Sequence, residues 1–127
     1  MLSTSGHSKD LGKRGEALAW NFLRKLGYEL LEKNYRTRFG EIDIVARKDG
    51  VIVFLEVKTR RDHRFGMPEE AVDWKKRRKL TGLAEAYLQA KRLENRAARF
   101  DILSVTWDGL GEPSFSLLPD AFGLEAG

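Results

Sequence analysis

The sequence predicts an α/β fold: a mixed sheet covered by one main helix on each face, in the order α-β-β-β-α-β-β. Two segments place apolar residues at the helical period. Between them, Asp49-Gly50 joins two runs, Ile42 to Ala46 and Val51 to Val57, that are apolar at nearly every position. An Asp-Gly pair between two strands signals a two-residue hairpin turn. Strands without polar alternation are covered on both faces.

Leu11 to Leu26 reads as the first helix, with Leu18, Ala19, Phe22, Leu23 and Leu26 on its apolar stripe. Asp10 suits its N-cap and Gly27 its stop. Gly12 and Gly15 lie on the stripe too, which lets the helix approach the sheet closely. Residues 1–9 are polar and read as a disordered tail, leaving 10–127 as a single domain. Tyr28 to Arg36 is the first strand, and the hairpin supplies the next two. Arg60 to Met67 is a charged loop. Pro68 opens the second helix, with Glu69 and Glu70 in its first turn, where the helix dipole favours acids. Its stripe is Leu80, Leu83, Ala84, Tyr87 and Leu88. Arg99 to Trp107 and Ser114 to Leu118 are the last strands, separated by the turn-rich Asp108 to Pro113. Most aromatics, Trp20, Phe22, Tyr28, Phe54, Tyr87 and Trp107, fall on core positions. Tyr35, Phe39, Phe65 and Trp74 fall where bases could stack.

A chain of 127 residues buries about two thirds of its unfolded surface and needs no covalent staple. It has no cysteine, which excludes disulfides and thiolate metal sites and suits a cytoplasmic location. No run of about 18 apolar residues is present, so no membrane helix is expected. A net charge of +4 favours a polyanionic partner. Serine or cysteine triads and glycine-rich phosphate loops are absent.

The hairpin carries three charges: Asp43, Glu56 and Lys58. With a two-residue turn, residue 48 faces 51, and counting outward sets 43 opposite 56. Opposed residues in an antiparallel pair share a face, with Cβ atoms about 5 Å apart. Lys58 follows on that face. One charge among these is readily a solvated strand end or a local salt bridge. Two carboxylates flanked by Ile42, Ile44, Leu55 and Val57 need a stronger reason, because buried acids are paired or metal-bound. Oxygen-only ligation suits Mg²⁺ or Mn²⁺, which takes one or two carboxylates together with substrate phosphates. Metal-assisted phosphodiester hydrolysis follows, with Lys58 orienting water or steadying developing charge. Glu16 sits at the edge of the first helix's stripe, where a boundary glutamate is ordinary.

Basic residues follow the hairpin and open the second helix. Arg60, Arg61, Arg64, Lys75, Lys76, Arg78 and Lys79, extended by Arg36 and Arg38, are the expected phosphate contacts. His63 lies among them as a minor candidate for a general base.

GEIDIVA, a turn, then FLEVKTR resembles the PD-(D/E)xK nuclease signature, with Asp43 as its aspartate and Glu56-Val57-Lys58 as its ExK. Gly12-Lys13-Arg14-Gly15-Glu16-Ala17, Gly27-Tyr28, Asn34-Tyr35-Arg36, Gly40 to Asp43, Glu56 to Arg60, Ala71-Val72-Asp73 and Arg99-Phe100-Asp101 resemble, in that order, the YraN-like family of small bacterial proteins. That family is similar to archaeal Holliday-junction resolvases. The resemblance spans about Leu11 to Phe122 and implies a restriction-endonuclease-like fold. It also implies a place for Glu16 in the metal site beside Asp43 and Glu56, and the Val57 carbonyl is a further candidate ligand. Ile42 stands where the wider nuclease pattern has proline. The expectation is a Mg²⁺- or Mn²⁺-dependent endonuclease acting on DNA in preference to RNA, on branched or junction structures, as a homodimer. The alternative is a nucleic-acid-binding module without catalysis.

Overall fold

A computed structural model describes residues 4–61 and 73–122, with side chains from Gly12 onward. Helix α1 spans Thr4–Lys25, strands β1, β2 and β3 span Glu29–Thr37, Gly40–Lys48 and Val51–Arg60, and helix α2 spans Trp74–Ala90. Strands β4, Ala98–Thr106, and β5, Ser114–Phe122, complete the expected order. The sheet runs β1-β2-β3-β4-β5; only β3 and β4 are parallel, joined across one face by α2.

The Asp49-Gly50 turn is a two-residue turn, as expected. Lys48 pairs with Val51, and φ is +52° at Asp49 and +80° at Gly50. Positive φ at both central residues is what a type I′ hairpin requires. Register then holds out to Ile44 opposite Leu55.

Both faces of the central strands are covered. Ile52 and Phe54 pack with Phe100 and Ile102 under Leu80, Leu83, Ala84, Tyr87 and Leu88 of α2. Val53 and Leu55 pack with Leu103 and Val105 under Ala19 and Leu23 of α1. This alternation between two cores explains why the hairpin shows no polar period.

Helix α1 starts at Thr4, so Asp10 lies inside it rather than capping it, and residues 4–9, read as a disordered tail, are helical. No proline interrupts this stretch, so nothing obliges the helix to begin at Asp10. Its end is as expected. Gly27 takes φ +92°, its N–H donates to Arg24 O, and Tyr28 N–H donates to Leu23 O at 3.0 Å. That double closure is a Schellman motif.

Of the two stripe glycines, only Gly15 makes a close approach: a Cβ there would collide with Thr59 of β3, 2.6 Å from its Cγ2. Gly12 faces open space. The described second helix begins at Trp74. Asp73 is its N-cap, its side chain accepting Lys76 N–H at 2.9 Å, and no acid occupies the first turn. Pro68, Glu69 and Glu70, expected there, lie outside the described residues. Strand β5 runs on to Phe122, past the expected Leu118. A bulge between Phe100 and Ile102 in its pairing with β4 lets it continue.

A buried anchor ties the sheet together. Asp101, fully buried on β4, accepts Tyr28 O–H at 2.8 Å, Arg99 Nε–H at 3.0 Å and Asp120 N–H at 2.7 Å. It joins the end of α1 to the β5 bulge. Burial and the Asp101 carboxylate push the Tyr28 hydroxyl up to about 12.

Candidate functional site

The β2–β3 ladder stops at Ile44 and Leu55, one step before Asp43 would meet Glu56. Ile44 faces the α1 core, yet Ile42, two residues earlier, joins the α2 core. Strand β2 therefore rotates at Asp43. The Asp43 carboxylate takes the place of a main-chain acceptor, receiving Val57 N–H at 2.8 Å. The register arithmetic brings the two acids together, but across a parting of the strands rather than as a simple cross-strand pair.

Glu56 is buried on the face toward α2. Its Oε1 lies 3.6 Å from Lys76 Nζ, and its Oε2 is buried with no hydrogen-bond partner. An orphaned buried carboxylate oxygen is costly and calls for a ligand. Asp43 is pushed up to about 7, first by burial, then by Glu56, and further by Glu16 and Glu41; the Val57 N–H opposes this. Lys58 follows Glu56 by two residues, half-buried. Its ammonium is held below the usual lysine range by burial and by neighbouring Lys76, while Glu56 and Asp43 act the other way. Burial acts to lower Lys76 as well, but its hydrogen bond to Lys58 and the Glu56 carboxylate outweigh this and shift it up.

Glu16 approaches from the α1 side. It lines a cleft of about 280 Å³ with Lys13, Trp20, Lys33, Asn34 and Asp43. Burial and Glu41 raise its pKa; Lys33, Arg36 and a hydrogen bond from Asn34 lower it. The close packing of Gly15 on Thr59 sets α1 near enough for Glu16 to feel the site. Among the described residues no three acidic or histidine side chains form a closed cage. Two carboxylates with remaining positions left to water and phosphate are what Mg²⁺ accepts, and the unpartnered Glu56 Oε2 fits such an ion.

Of the expected residues, Asp43, Glu56 and Lys58 converge, with Glu16 beside Asp43. Val57 contributes its amide, given to Asp43. Lys76, expected to hold phosphate backbone, instead stands against Glu56. The crossover explains this: α2 returns from the end of β3, and Asp73 fixes its first turn over Glu56 and Lys58. Glu41 was not singled out by sequence reasoning, although it stands two residues before Asp43. Its carboxylate pairs with Arg36 at 3.2 Å.

The other bases gather at one end of the sheet, where β2 begins and β3 and β4 end. Arg36, Arg38 and Lys79 line a shallow groove at the β1–β2 turn. Lys79 is packed against Gly40, where a Cβ would lie 2.9 Å from its Cε. Arg38 covers the Phe39 ring, Arg78 covers Trp74, and Lys75 is exposed. Arg60 is half-buried and its carbonyl accepts Trp107 N–H; Arg61 is exposed, near Asp108. Phe39 and Trp74 are exposed, whereas Tyr35 packs edge-on against Tyr87. His63, Arg64 and Phe65 lie outside the described residues.

Fold and site together define a class: a mixed α/β protein with a carboxylate pair and a lysine where two central strands part. The chain belongs to the uncharacterised protein family UPF0102, the YraN-like family, whose model matches residues 15–105. That match takes in Glu16, Asp43, Glu56, Lys58 and Lys76 alike. A UPF0102 protein of Dictyoglomus turgidum is 44% identical over 117 residues, covering 91% of this chain and 99% of that one. One from Alkaliphilus metalliredigens is 50% identical over 98 residues, covering 77% of this chain and 86% of its own. One from Syntrophus aciditrophicus is 46% identical over 116 residues, covering 91% of each. Among the described residues no helix is long and apolar enough to cross a membrane.

Proposed function

We propose that this protein is a divalent-metal-dependent endonuclease of the PD-(D/E)xK type that hydrolyses phosphodiester bonds in DNA, with branched or junction DNA as its preferred form. The observation that carries the reading is Glu56 Oε2, a buried carboxylate oxygen without a partner, beside an Asp43 that burial and Glu56 push up to about 7. A fold that maintains two such acids together, against their repulsion, is adapted to receive a cation.

Asp43 and Glu56 would hold Mg²⁺ or Mn²⁺, with the Val57 carbonyl as a further ligand and Glu16 joining directly or through water. A divalent cation held by these residues would supply Lewis-acid stabilisation to a phosphoryl oxygen. Val57 N–H keeps Asp43 oriented. Lys58 Nζ, reaching the same face as Glu56, orients the attacking water. Arg36, Arg38, Lys75, Arg78 and Lys79 would hold the flanking phosphates at the basic end of the sheet, and Arg60 and Arg61 would extend that surface. Cutting both strands of a junction suits a symmetric dimer.

The test is cleavage of four-way junction, flap and duplex DNA in Mg²⁺ or Mn²⁺, with Asp43→Ala and Glu56→Ala as controls. The reading requires metal-dependent cutting that both substitutions abolish. Cutting that survives both would remove the site. Salt-sensitive binding without cutting on any substrate would leave a nucleic-acid-binding module.

A further inference from the structure

We propose that Lys76 is an internal counter-cation that holds Glu56 until a nucleic-acid phosphate draws it away, so that divalent cation and phosphodiester enter the site together. This rests on the cation site proposed above and adds a residue and an order of binding to it.

Lys76 Nζ lies 3.6 Å from Glu56 Oε1 and is the cation nearest that buried carboxylate among the ion pairs of the described residues. Lys58 lies on the same face, close enough to Lys76 for each to shift the other's titration. Two carboxylates, Asp43 and Glu56, therefore face two lysines. A dication added to this group leaves excess positive charge in a poorly solvated space, where repulsion is strong. One lysine must leave or an anion must arrive.

The structure distinguishes the two lysines. Lys58 is carried by the central strand β3, where it pairs with Ser104 of β4, two residues beyond Glu56. Lys76 stands in the first turn of α2 with 36% of its side chain exposed. The Asp73 cap anchors its backbone while the four-carbon stem stays free to swing. Its direction of escape is the end of the sheet where Arg36, Arg38, Lys75 and Lys79 stand. A phosphate delivered there supplies the anion that Lys76 exchanges Glu56 for. Cation and phosphate then favour one another's binding by the same factor, as linkage demands.

The measurement is the equilibrium affinity for Mn²⁺, by calorimetry and without nucleic acid, of wild type, Lys76→Met and Lys76→Arg. Met keeps the length of the stem and removes the charge; circular dichroism melts establish that each variant is folded. Lys76→Met is expected to bind Mn²⁺ about tenfold more tightly or better, and Lys76→Arg like wild type. In parallel, Ca²⁺ should strengthen binding of a fluorescent four-way junction to wild type by about tenfold and to Lys76→Met distinctly less. If wild type binds Mn²⁺ and Lys76→Met binds it no better, the counter-cation role is overturned while the metal site stands. The same holds if Lys76→Arg tightens binding as much as Met. If no variant binds Mn²⁺, with or without DNA, both the role and the metal site fall.

Discussion

Replacing Asp43 by Asn should make the metal-free protein more stable while removing its capacity to hold a cation. Asp43 is pushed up to about 7 in the fold, from an ordinary value of 3.8. A carboxyl with a raised folded pKa favours the folded state most when protonated. Its contribution is fully present below about pH 4 and is lost as pH rises through about 7. At pH 8 the ionised group disfavours folding by about 4 kcal/mol, and at pH 5.5 by about 2 kcal/mol, at 1.36 kcal/mol per unit. Asn carries no charge, and its amide oxygen can still accept the Val57 N–H that Asp43 holds at 2.8 Å. Those figures are therefore ceilings on the gain. The assay is urea unfolding in EDTA at both pH values, wild type against Asp43→Asn. The variant should be the more stable, by a margin that grows with pH, and its Mn²⁺ binding should vanish. A variant less stable than wild type at pH 8, or a margin indifferent to pH, would refute the strained-carboxylate account.

Three further outcomes follow from the geometry. Cation binding to wild type should release about half a proton near pH 7 and almost none near pH 9, because Asp43 must ionise; calorimetry in buffers of different ionisation enthalpy measures this. Tyr28→Phe removes the hydroxyl that Asp101 accepts at 2.8 Å and should cost about 1–3 kcal/mol in urea unfolding near pH 7. The contribution of that hydroxyl is present below about pH 10 and lost as pH rises toward 12, so the difference between the two proteins should close there. Gly15→Ala should cost about 1–3 kcal/mol by driving a methyl into Thr59, and Thr59→Ala in the same chain should restore much of it, a coupling that a double-mutant cycle reads.

Much of the site was legible because strand geometry is arithmetic. Asp49-Gly50 specifies its own turn, the turn specifies register, and register carries Asp43 to within one step of Glu56. The step itself was not legible. Nothing in Ile42-Asp43-Ile44 announces that β2 rotates there, because both isoleucines are equally apolar and each finds a core. Lys76 is one of several bases that open the second helix, and composition cannot say which of them faces inward. The start of α1 was hidden for a different reason: its opening residues carry no apolar stripe in the sequence, so periodicity is silent there.

By itself, then, the sequence determined the element order, the two-sided cover of the central strands, the hairpin register and the acids and lysine of the site, because these depend on local turn chemistry and alternation along one chain. Only the tertiary structure decided that Asp43 bonds to Val57 at a parting of the strands and that Glu56 is left with an unpartnered oxygen. It alone decided that Lys76 stands against Glu56 from α2, while Glu16, for which the family resemblance already implied a place, approaches Asp43 from α1 on the other face. Those features depend on how closely Gly15 lets α1 settle on Thr59 and where Asp73 starts α2. Such distances arise between elements remote in sequence, and only packing sets them.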